Sequence, residues 1–429
     1  MPSTPWLLSS SVTVYNPIPR RLGEQTITNK EMNLAERIYC RAFQLGLRLS
    51  IPILPYREHK KIDSVREVPD VLLRHGKRRV LLVTDSSVRG FGLTKTLEQA
   101  LADAGVHCTV FDQTPVNPTI EAVERAAQLY RSQQCQALVS VGGGSSIDCC
   151  KLVGVRIARP RKSFSSMEGI LKVMWPLPLQ IAIPTTAGTG SETTLAAVVT
   201  DEKTHHKYPI NDFFLIPRYT CLDPDLTYSL PKSLTSTTGM DAMTHAVEAF
   251  IGRSTTASTR RYAIEAVRLI NENILTAYRQ PDNKQARANM LHAAYLAGMA
   301  FTKSYVGYVH AVAHSLGGQY HIPHGLANSV LLPIVLRQYG VHAQHRLALL
   351  ARAAGITSEA DDARAAEAFV ARLQQLNDQM DIPRTLAGIR DADIPVMARN
   401  AAREGNPLYP VPVLWNAKEL EHIYNKVKG

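Results

Sequence analysis

The sequence predicts a molecule in two parts, an α/β half with a mostly parallel sheet followed by an all-α half. From about residue 65, short runs of aliphatic and β-branched residues alternate with helical segments, a pattern typical of parallel sheets. After Leu230-Pro231 the strand signals almost vanish, and long segments rich in Ala, Leu, Arg and Glu begin. The chain has 429 residues, of which 45% are hydrophobic, so it is long enough for two globular domains.

The elements of the α/β half follow one another in a regular order. Helices that connect neighbouring parallel strands imply right-handed crossovers. The predicted strands are residues 79–84, 107–111, 137–141, 179–183, 195–200 and 219–222, and the predicted helices are residues 93–104, 119–132 and 146–157.

Three segments are predicted along the chain. They are a leader at 1–50, an α/β domain at 51–232 and an all-helical domain at 233–429. The leader contains a possible amphipathic helix at 33–49, which we expect to fold back onto the body or onto a partner subunit. Two domains without a long linker should pack together and leave a cleft, a common place for a ligand.

Composition excludes several classes of protein. The net charge of +11 comes from scattered Lys and Arg, without a zinc finger or basic zipper, so we expect a solvated basic surface and no nucleic-acid partner. The apolar runs end well short of the ~20 residues that cross a membrane. The six cysteines form no C-x-x-C pair, and no signal peptide is recognisable. These features predict a cytoplasmic protein without a membrane partner.

A glycine-rich turn follows the third predicted strand and opens a helix. Its glycines, Gly142, Gly143 and Gly144, precede Ser145 and Ser146. Free N–H groups at a helix N-terminus suit an anion such as pyrophosphate. The turn is not a G-x-G-x-x-G motif, because Ile147 occupies the third glycine position. A phosphate cradle and a tight structural turn are both compatible with it.

Two further features lie at predicted strand ends. The loop at 183–192 carries several hydroxyl residues and two glycines, which suit a ribose, a phosphate or an amide ring. A loop that only caps a helix is the alternative. Asp85 could accept hydrogen bonds from a ribose diol and repel a 2′-phosphate, or could serve as a simple cap.

Histidines concentrate in the helical half. Residues 307–318 read as a helix that ends at its glycines, and His310 and His314 share one face of it at i,i+4. Asp241 and His245 have the same spacing upstream, and His324 lies in a turn before a later helix. Such a set could close around Fe²⁺, Zn²⁺ or Mn²⁺, although any single histidine is more often a core or surface residue. His321 is read as surface, and His205 and His206 as part of a β-turn region with Lys203 and Lys207.

Five ordered motifs resemble those of the iron-containing (group III) alcohol dehydrogenases. They are GGGSSID, IPTTAGTGSE, LDPDLT, TGMDAMTHAVEA and GYVHAVAHSLGGQYHIPHGLANSVLLP, and the resemblance covers roughly residues 65–425. It implies a dinucleotide-binding α/β domain and a helical metal-binding domain, as in dehydroquinate synthase. Two departures are Cys150 before Lys151, where alanine is usual, and Lys303 close to the expected pocket.

The resemblance implies a role for individual residues. Metal ligands fall on Asp241, His245, His310 and His324, the catalytic non-ligand histidine on His314, and a substrate-pocket residue on Phe301. The cofactor-binding positions fall on Asp85, Asn117, Gly143, Gly144, Ser145, Asp148, Thr185, Thr186, Thr189 and Lys207.

The implied activity is hydride transfer between NAD and a primary alcohol or aldehyde, with Fe²⁺ or Zn²⁺ as the metal and a homodimer as the assembly. A hydroxyacid–oxoacid transhydrogenase with tightly bound nicotinamide is the main alternative. A dehydroquinate-synthase-like lyase would need a phosphate-binding cluster, which is not recognisable in the sequence. The last alternative is a non-enzymatic NAD- or metal-binding protein.

Overall fold

A computed structural model of the protein describes residues 32–56, 59–204 and 206–429. Most of the predicted leader, residues 1–31, and His205 lie outside this range. The described residues form an α/β half followed by a helical half, so the predicted fold class is confirmed.

The α/β half is built on a six-stranded sheet in which every neighbouring pair is parallel. Its spatial order is β1-β9-β6-β4-β2-β3. The strands of this sheet are β1 (Lys60–Ile62), β2 (Arg79–Val83), β3 (His107–Phe111), β4 (Ala137–Gly142), β6 (Leu179–Pro184) and β9 (Tyr219–Cys221), while β5 (Gly169–Ile170), β7 (Ala196–Asp201) and β8 (His206–Asn211) lie apart. The helices of this half are α2 (Val68–Arg74), α3 (Ser86–Gly90), α4 (Lys95–Asp103), α5 (Ile120–Ser132) and α6 (Gly144–Ala158). One further helix, α1 (Leu34–Ser50), precedes them.

The strand order reverses beside β2, since β3 lies on one side of it and β4 on the other. In open α/β sheets, ligands bind at the carboxyl ends of the strands where the order reverses. Every residue of β4 is buried, because helices cover both faces of the sheet. The loops after β2, β4 and β6 are therefore the place where a ligand is expected to bind.

The small sheet, β5-β8-β7, was missed in part by sequence reasoning. Its strand β8 contains His206 and Lys207, so the expectation that these residues belong to a β-turn region was wrong. The turn is shorter and covers residues 202–204. Its antiparallel pairing with β7 gave no distinct signal, because β8 carries exposed polar residues at several positions.

The helical half consists of nine helices among its described residues. They enclose one hydrophobic core. These helices are α7 (Lys232–Ile251), α8 (Ala257–Arg279), α9 (Lys284–Ser304), α10 (Tyr308–Tyr320), α11 (His324–Tyr339), α12 (Val341–Ala353), α13 (Asp362–Gln379), α14 (Ile394–Gly405) and α15 (Ala417–Val427).

Two helix boundaries differ from those read in the sequence. Helix α10 continues through Gly317 and Gly318 and ends at Tyr320, where His321 takes the left-handed conformation. Neither glycine has a positive φ, so neither takes the left-handed conformation with which a glycine commonly ends a helix. His324 is the first residue of α11 rather than part of a separate turn.

Helix α1 docks on the helical half. Its buried Gln44 donates hydrogen bonds to the carbonyl oxygens of Pro407 and Tyr409, at 3.1 and 2.7 Å. Arg41 donates to the carbonyl oxygens of Val411 and Pro412. The end of the predicted leader therefore packs on the body of the same chain. Among the described residues, no helix combines the length and apolar character that crossing a membrane requires.

Candidate active site

The ends of β2 and β4 are joined by a side-chain hydrogen bond. Ser146 donates through Oγ to Oδ2 of Asp85 at 2.9 Å. The other carboxylate oxygen of Asp85 accepts from the backbone N–H groups of Ser87 and Val88, both at 3.0 Å, and so caps α3. Asp85 is therefore a cap, and its carboxylate also lies at the reversal point of the strand order, where a ribose would bind.

The glycine turn packs closely against its own neighbours, and a side chain at two of its positions would collide with them. A Cβ on Gly142 would lie 2.5 Å from Oγ of Ser146, and a Cβ on Gly144 would lie 3.1 Å from Thr189. Gly143 is the N-cap of α6 and supplies no side-chain hydrogen bond to its first turn. Ser145 instead donates to the carbonyl oxygen of Val116. The first N–H groups of α6 are thus left for an external anion.

Asp148, a predicted cofactor-binding residue, makes hydrogen bonds within the protein. One of its carboxylate oxygens accepts a hydrogen bond from Ser191 at 2.5 Å, and the other accepts from the N–H of Val198 at 3.0 Å. Burial raises its pKa, with the charge of Lys151 acting in the opposite direction. The structure therefore gives Asp148 an internal function, joining α6 to the hydroxyl-rich loop.

Lys151 holds the same loop and was not singled out as a site residue. Its ammonium is fully buried and donates to the carbonyl oxygens of Ser191, Thr194 and Ala196, at 2.6, 2.9 and 2.8 Å. Burial lowers its pKa to about 8, although the charges of Asp148 and Glu192 raise it. In the sequence, Lys151 lies four residues after Ile147, on the helix that the glycine turn opens. This position could have identified it as a residue that supports the site.

The hydroxyl-rich loop lies beside the glycine turn. Thr185 donates its backbone N–H to the carbonyl oxygen of Gly142 at 3.0 Å. The hydroxyl of Thr186 is buried and has no hydrogen-bond partner in the described part of the chain. Thr189 packs against Gly144. A buried hydroxyl without a partner is costly, so a ligand that bonds it would be favoured here.

Lys207 and Asn117 meet at the edge of this site. The ammonium of Lys207 donates to Oδ1 of Asn117 at 2.8 Å. Burial lowers the pKa of Lys207, opposed by the charge of Asp148. The charge of Lys207 also acts on His314 and His324 in the helical half. The two predicted cofactor residues are therefore together, and they lie close to the histidine cluster.

The loop packs directly on the helical half. A Cβ on Gly188 would lie 2.6 Å from Cβ of Thr238 on α7, and one on Gly190 would lie 2.8 Å from Cα of Gly298 on α9. Gly190 also has φ +61°, a conformation that favours glycine. These two close approaches bring the α/β half against the predicted metal-binding helices.

Phe301 lies where the loop meets the histidines. Its ring stacks on that of His245, with centroids 4.1 Å apart and planes at 13°. A Cβ on Gly190 would be 3.3 Å from its Cε1 atom. Phe301 thus lies between the loop and the histidine cluster, the position expected of a residue that lines a pocket.

The four predicted metal ligands come together from α7, α10 and α11. One donor atom each from Asp241, His245 and His310 lies within 4.8 Å of the others. Nε2 of His324 is 3.5 Å from Oδ1 of Asp241, and Nε2 of His310 is 3.9 Å from the same oxygen. One carboxylate and three imidazoles form a ligand set that suits a divalent transition metal.

Asn328 shows that these donors converge on one point. Its amide nitrogen lies 2.7 Å from Oδ1 of Asp241, 3.2 Å from Nε2 of His310 and 3.1 Å from Nε2 of His324. An amide nitrogen carries only two hydrogens and cannot satisfy three acceptors. The Oδ1 atom of Asn328 is buried without a partner in the described chain. Acceptors arranged in this way fit a cation.

The electrostatics of the cluster keep the imidazoles neutral. Burial lowers the pKa of His245, lowers that of His324 to about 4, and lowers that of His310 well below its ordinary value. Neighbouring histidines reinforce the shift at His310. Neutral imidazole is the form that binds metal.

Glu248 is a site residue that sequence reasoning missed. Its carboxylate lies 2.6 Å from Nδ1 of His310 and accepts from the N–H groups of Gly307 and Val309, both at 2.8 Å. A carboxylate on Nδ1 turns Nε2 of a histidine towards the metal. The available signal was its position on α7, three residues after His245.

His314 lies beside the predicted metal ligands. Its ring stacks on that of His324, with centroids 5.1 Å apart. Nδ1 of His314 is 2.6 Å from Oε1 of Glu404 on α14, and the charge of Glu404 raises the pKa of His314 against the effect of burial. No sequence pattern connects these two residues, which are 90 positions apart.

Two other basic residues lie away from the cluster. The ammonium of Lys303 lies over the ring of Tyr56, 5.7 Å from its centroid, although the sequence suggested that it approaches the pocket. It follows Phe301 by two residues on α9 and so points to a different side of that helix. His321 is exposed, as expected of a surface residue.

Comparison with known proteins identifies the family to which the chain belongs. Residues 57–224 match the model described as iron-containing alcohol dehydrogenase, and residues 235–427 match its C-terminal domain. The chain is 39% identical over 357 residues to the 1,3-propanediol dehydrogenase of Citrobacter freundii, which covers 82% of this chain and 92% of that protein. It is 36% identical over 341 residues to the NAD-dependent methanol dehydrogenase of Bacillus methanolicus, covering 79% and 89%.

A solved structure agrees with these relatives. The crystal structure of a 1,3-propanediol oxidoreductase superposes with a TM-score of 0.83 at 35% identity, covering 87% of this chain and 98% of the other. Both halves of the chain and their arrangement are thus accounted for by one set of relatives. The chain belongs to the iron-containing alcohol dehydrogenase family and is an alcohol dehydrogenase of that family.

Proposed function

We propose that the protein transfers hydride between NAD and a primary alcohol or aldehyde, using a divalent metal, Fe²⁺ or Zn²⁺, held by Asp241, His245, His310 and His324. One observation carries the proposal. The convergent donor set lies against Phe301, which in turn lies against the loop that borders the glycine turn. Metal-ligand residues and a dinucleotide-type turn therefore face one another across the two halves.

The α/β half supplies the cofactor site. The N–H groups at the start of α6 receive the pyrophosphate, and the hydroxyls of Thr185, Thr186 and Thr189 border the ribose and nicotinamide. The carboxylate of Asp85 receives the adenosine ribose and repels a 2′-phosphate, which favours NAD over NADP. When bound, NAD supplies the hydride acceptor, so these residues only bind and orient it.

The helical half supplies the substrate site. When bound, the metal polarises the oxygen of the alcohol or aldehyde. Glu248 orients His310, and Phe301 excludes water from the side of His245. In alcohol oxidation, bound NAD⁺ would supply the acceptor for the hydride of the substrate carbon, and His314 would take the O–H proton and pass it to solvent. The products are an aldehyde, NADH and a proton.

The test is a turnover assay of the protein reconstituted separately with Fe²⁺ and with Zn²⁺. Primary alcohols, diols and hydroxyacids are offered with free NAD⁺ or NADP⁺. Reduction of NAD⁺ by a primary alcohol or diol supports the proposal, and His314→Ala should lower kcat by about 10- to 1000-fold. A protein that retains nicotinamide through purification and exchanges hydride only between two substrates would instead be a transhydrogenase.

The assembly and the location of the protein are also predictions. We predict a homodimer, as the family resemblance implies, and a location in the cytoplasm. Light scattering of the purified protein and cell fractionation test these two points separately from the activity.

A further inference from the structure

Tyr409 makes a further contact with the pair formed by His314 and Glu404. Oε1 of Glu404 accepts a hydrogen bond from the hydroxyl of Tyr409 at 2.7 Å, besides its contact with Nδ1 of His314. Burial and the charge of Glu404 keep the pKa of Tyr409 well above its ordinary value, so the phenol stays a donor. Tyr409 is fixed in turn through its carbonyl oxygen, which accepts from Gln44 of α1.

The contact leaves one nitrogen of His314 for chemistry. A carboxylate accepts hydrogen bonds, so the nitrogen that faces it, Nδ1, must carry a hydrogen. This holds whether the imidazole is neutral or protonated. Nε2 is then the ring nitrogen that Glu404 leaves open, and it belongs to a ring that stacks on that of His324.

We propose that Glu404 is a positioning residue that fixes the tautomer and the ring orientation of His314 through Nδ1. Tyr409 holds Glu404 in place for this purpose. The arrangement follows the logic by which a buried carboxylate sets the tautomer and orientation of a catalytic histidine. The proposal rests on the proposed role of His314, and the experiment below separates the two.

The first variant is Glu404→Gln, which keeps the size of the side chain and adds an amide donor that can face Nδ1. It should lower kcat by about 10- to 1000-fold with KM changed less than about threefold, because a neutral amide holds the N–H group of Nδ1 less firmly than a carboxylate does. Tyr409→Phe should lower kcat by a smaller factor, about two- to fivefold. Glu367→Gln, which alters an exposed carboxylate paired with Arg337, is the matched control and should leave kcat unchanged.

A double-variant cycle distinguishes positioning through His314 from any other effect. Adding Glu404→Gln to His314→Ala should cause no further loss, because the residue through which Glu404 acts is already gone. A full additional loss in the double variant would overturn the proposal. An unchanged kcat for His314→Ala would overturn the proposed role of His314, and this inference would fall with it.

Two measurements do not depend on turnover. Nitrogen-15 NMR of labelled histidine should show the hydrogen of neutral His314 on Nδ1 in the wild type. Metal content by elemental analysis should be equal in the wild type and in Glu404→Gln. Loss of metal in Glu404→Gln, or a wild-type His314 with its hydrogen on Nε2, would refute the positioning role. If Glu404→Gln does not fold, the same cycle is run with Tyr409→Phe, and additivity with His314→Ala decides against the proposal.

Discussion

Ser146 donates a hydrogen bond to Asp85 at 2.9 Å and so ties the start of α6 to the end of β2. The bond spans the point where the strand order of the main sheet reverses. The same carboxylate caps α3 with its other oxygen, so one side chain has both a structural and a proposed recognition function.

Replacing Asp85 by serine separates these functions. Serine caps helices about as well as aspartate but loses the bond to Ser146, so the free energy of unfolding should fall by about 1–3 kcal/mol. The loss of negative charge should raise kcat/KM for NADP⁺ relative to NAD⁺ by about tenfold or more. Steady-state kinetics with both cofactors measure the ratio. An unchanged ratio would show that Asp85 is only a cap.

The variant His310→Ala should lose its metal. It removes a donor from the centre of the cluster, where Asp241 and Asn328 also meet. We expect metal content after desalting to fall below about one tenth of the wild-type value. His321→Ala, at an exposed position, is the control and should keep its metal. Elemental analysis showing full occupancy in His310→Ala would rule out this ligand.

Glu248→Gln should weaken metal binding without abolishing it. The carboxamide cannot accept hydrogen bonds from Gly307, Val309 and His310 in the way that the carboxylate does. Loss of such an orienting partner typically costs about 10- to 100-fold in metal affinity. Competition with a chelator of known affinity measures the change. An affinity equal to that of the wild type would mean that Glu248 only packs against its neighbours.

Gly298→Ala should destabilise the contact between the two halves. The added Cβ would lie 2.3 Å from Oγ1 of Thr193 and 3.1 Å from backbone atoms of Gly190, which cannot easily move. We expect a loss of about 1–3 kcal/mol in the free energy of unfolding, measured in urea. Gly318→Ala is the control, because no atom lies within 4 Å of its added Cβ. Equal stabilities of the two variants would contradict the close approach.

Glu192→Gln should change how stability depends on pH. Burial raises the pKa of Glu192 to about 7, despite the opposing effects of a backbone hydrogen bond and Lys151. Between its ordinary value of 4.5 and about 7, the folded protein holds a proton that the unfolded chain has released, so the wild type loses stability as pH rises through this window.

The variant carries no such proton. Its stability should equal that of the wild type near about pH 5 and exceed it by on the order of 1–3 kcal/mol near about pH 8. Urea unfolding at the two pH values gives the difference, with Glu367→Gln as an exposed control. A difference that does not grow with pH would contradict the raised pKa.

Local patterns determined much of this protein. The alternation of strands and helices fixed the parallel sheet, since period and turn residues depend only on near neighbours in the chain. The i,i+4 spacing of Asp241 with His245 and of His310 with His314 placed each pair on one helix face. The glycine turn could be identified because three consecutive glycines are visible in the sequence.

Tertiary structure alone decided the contacts between distant segments. Glu404 lies 90 residues from His314, and Gly190 meets Gly298 only because a loop of one half packs on a helix of the other. The sequence also did not predict the hydrogen bonds of Asp148 within the protein or the position of Lys303 over the ring of Tyr56. A side chain's spacing in sequence fixes its helix face, whereas the partner on that face depends on how helices and sheet pack, which no local pattern encodes.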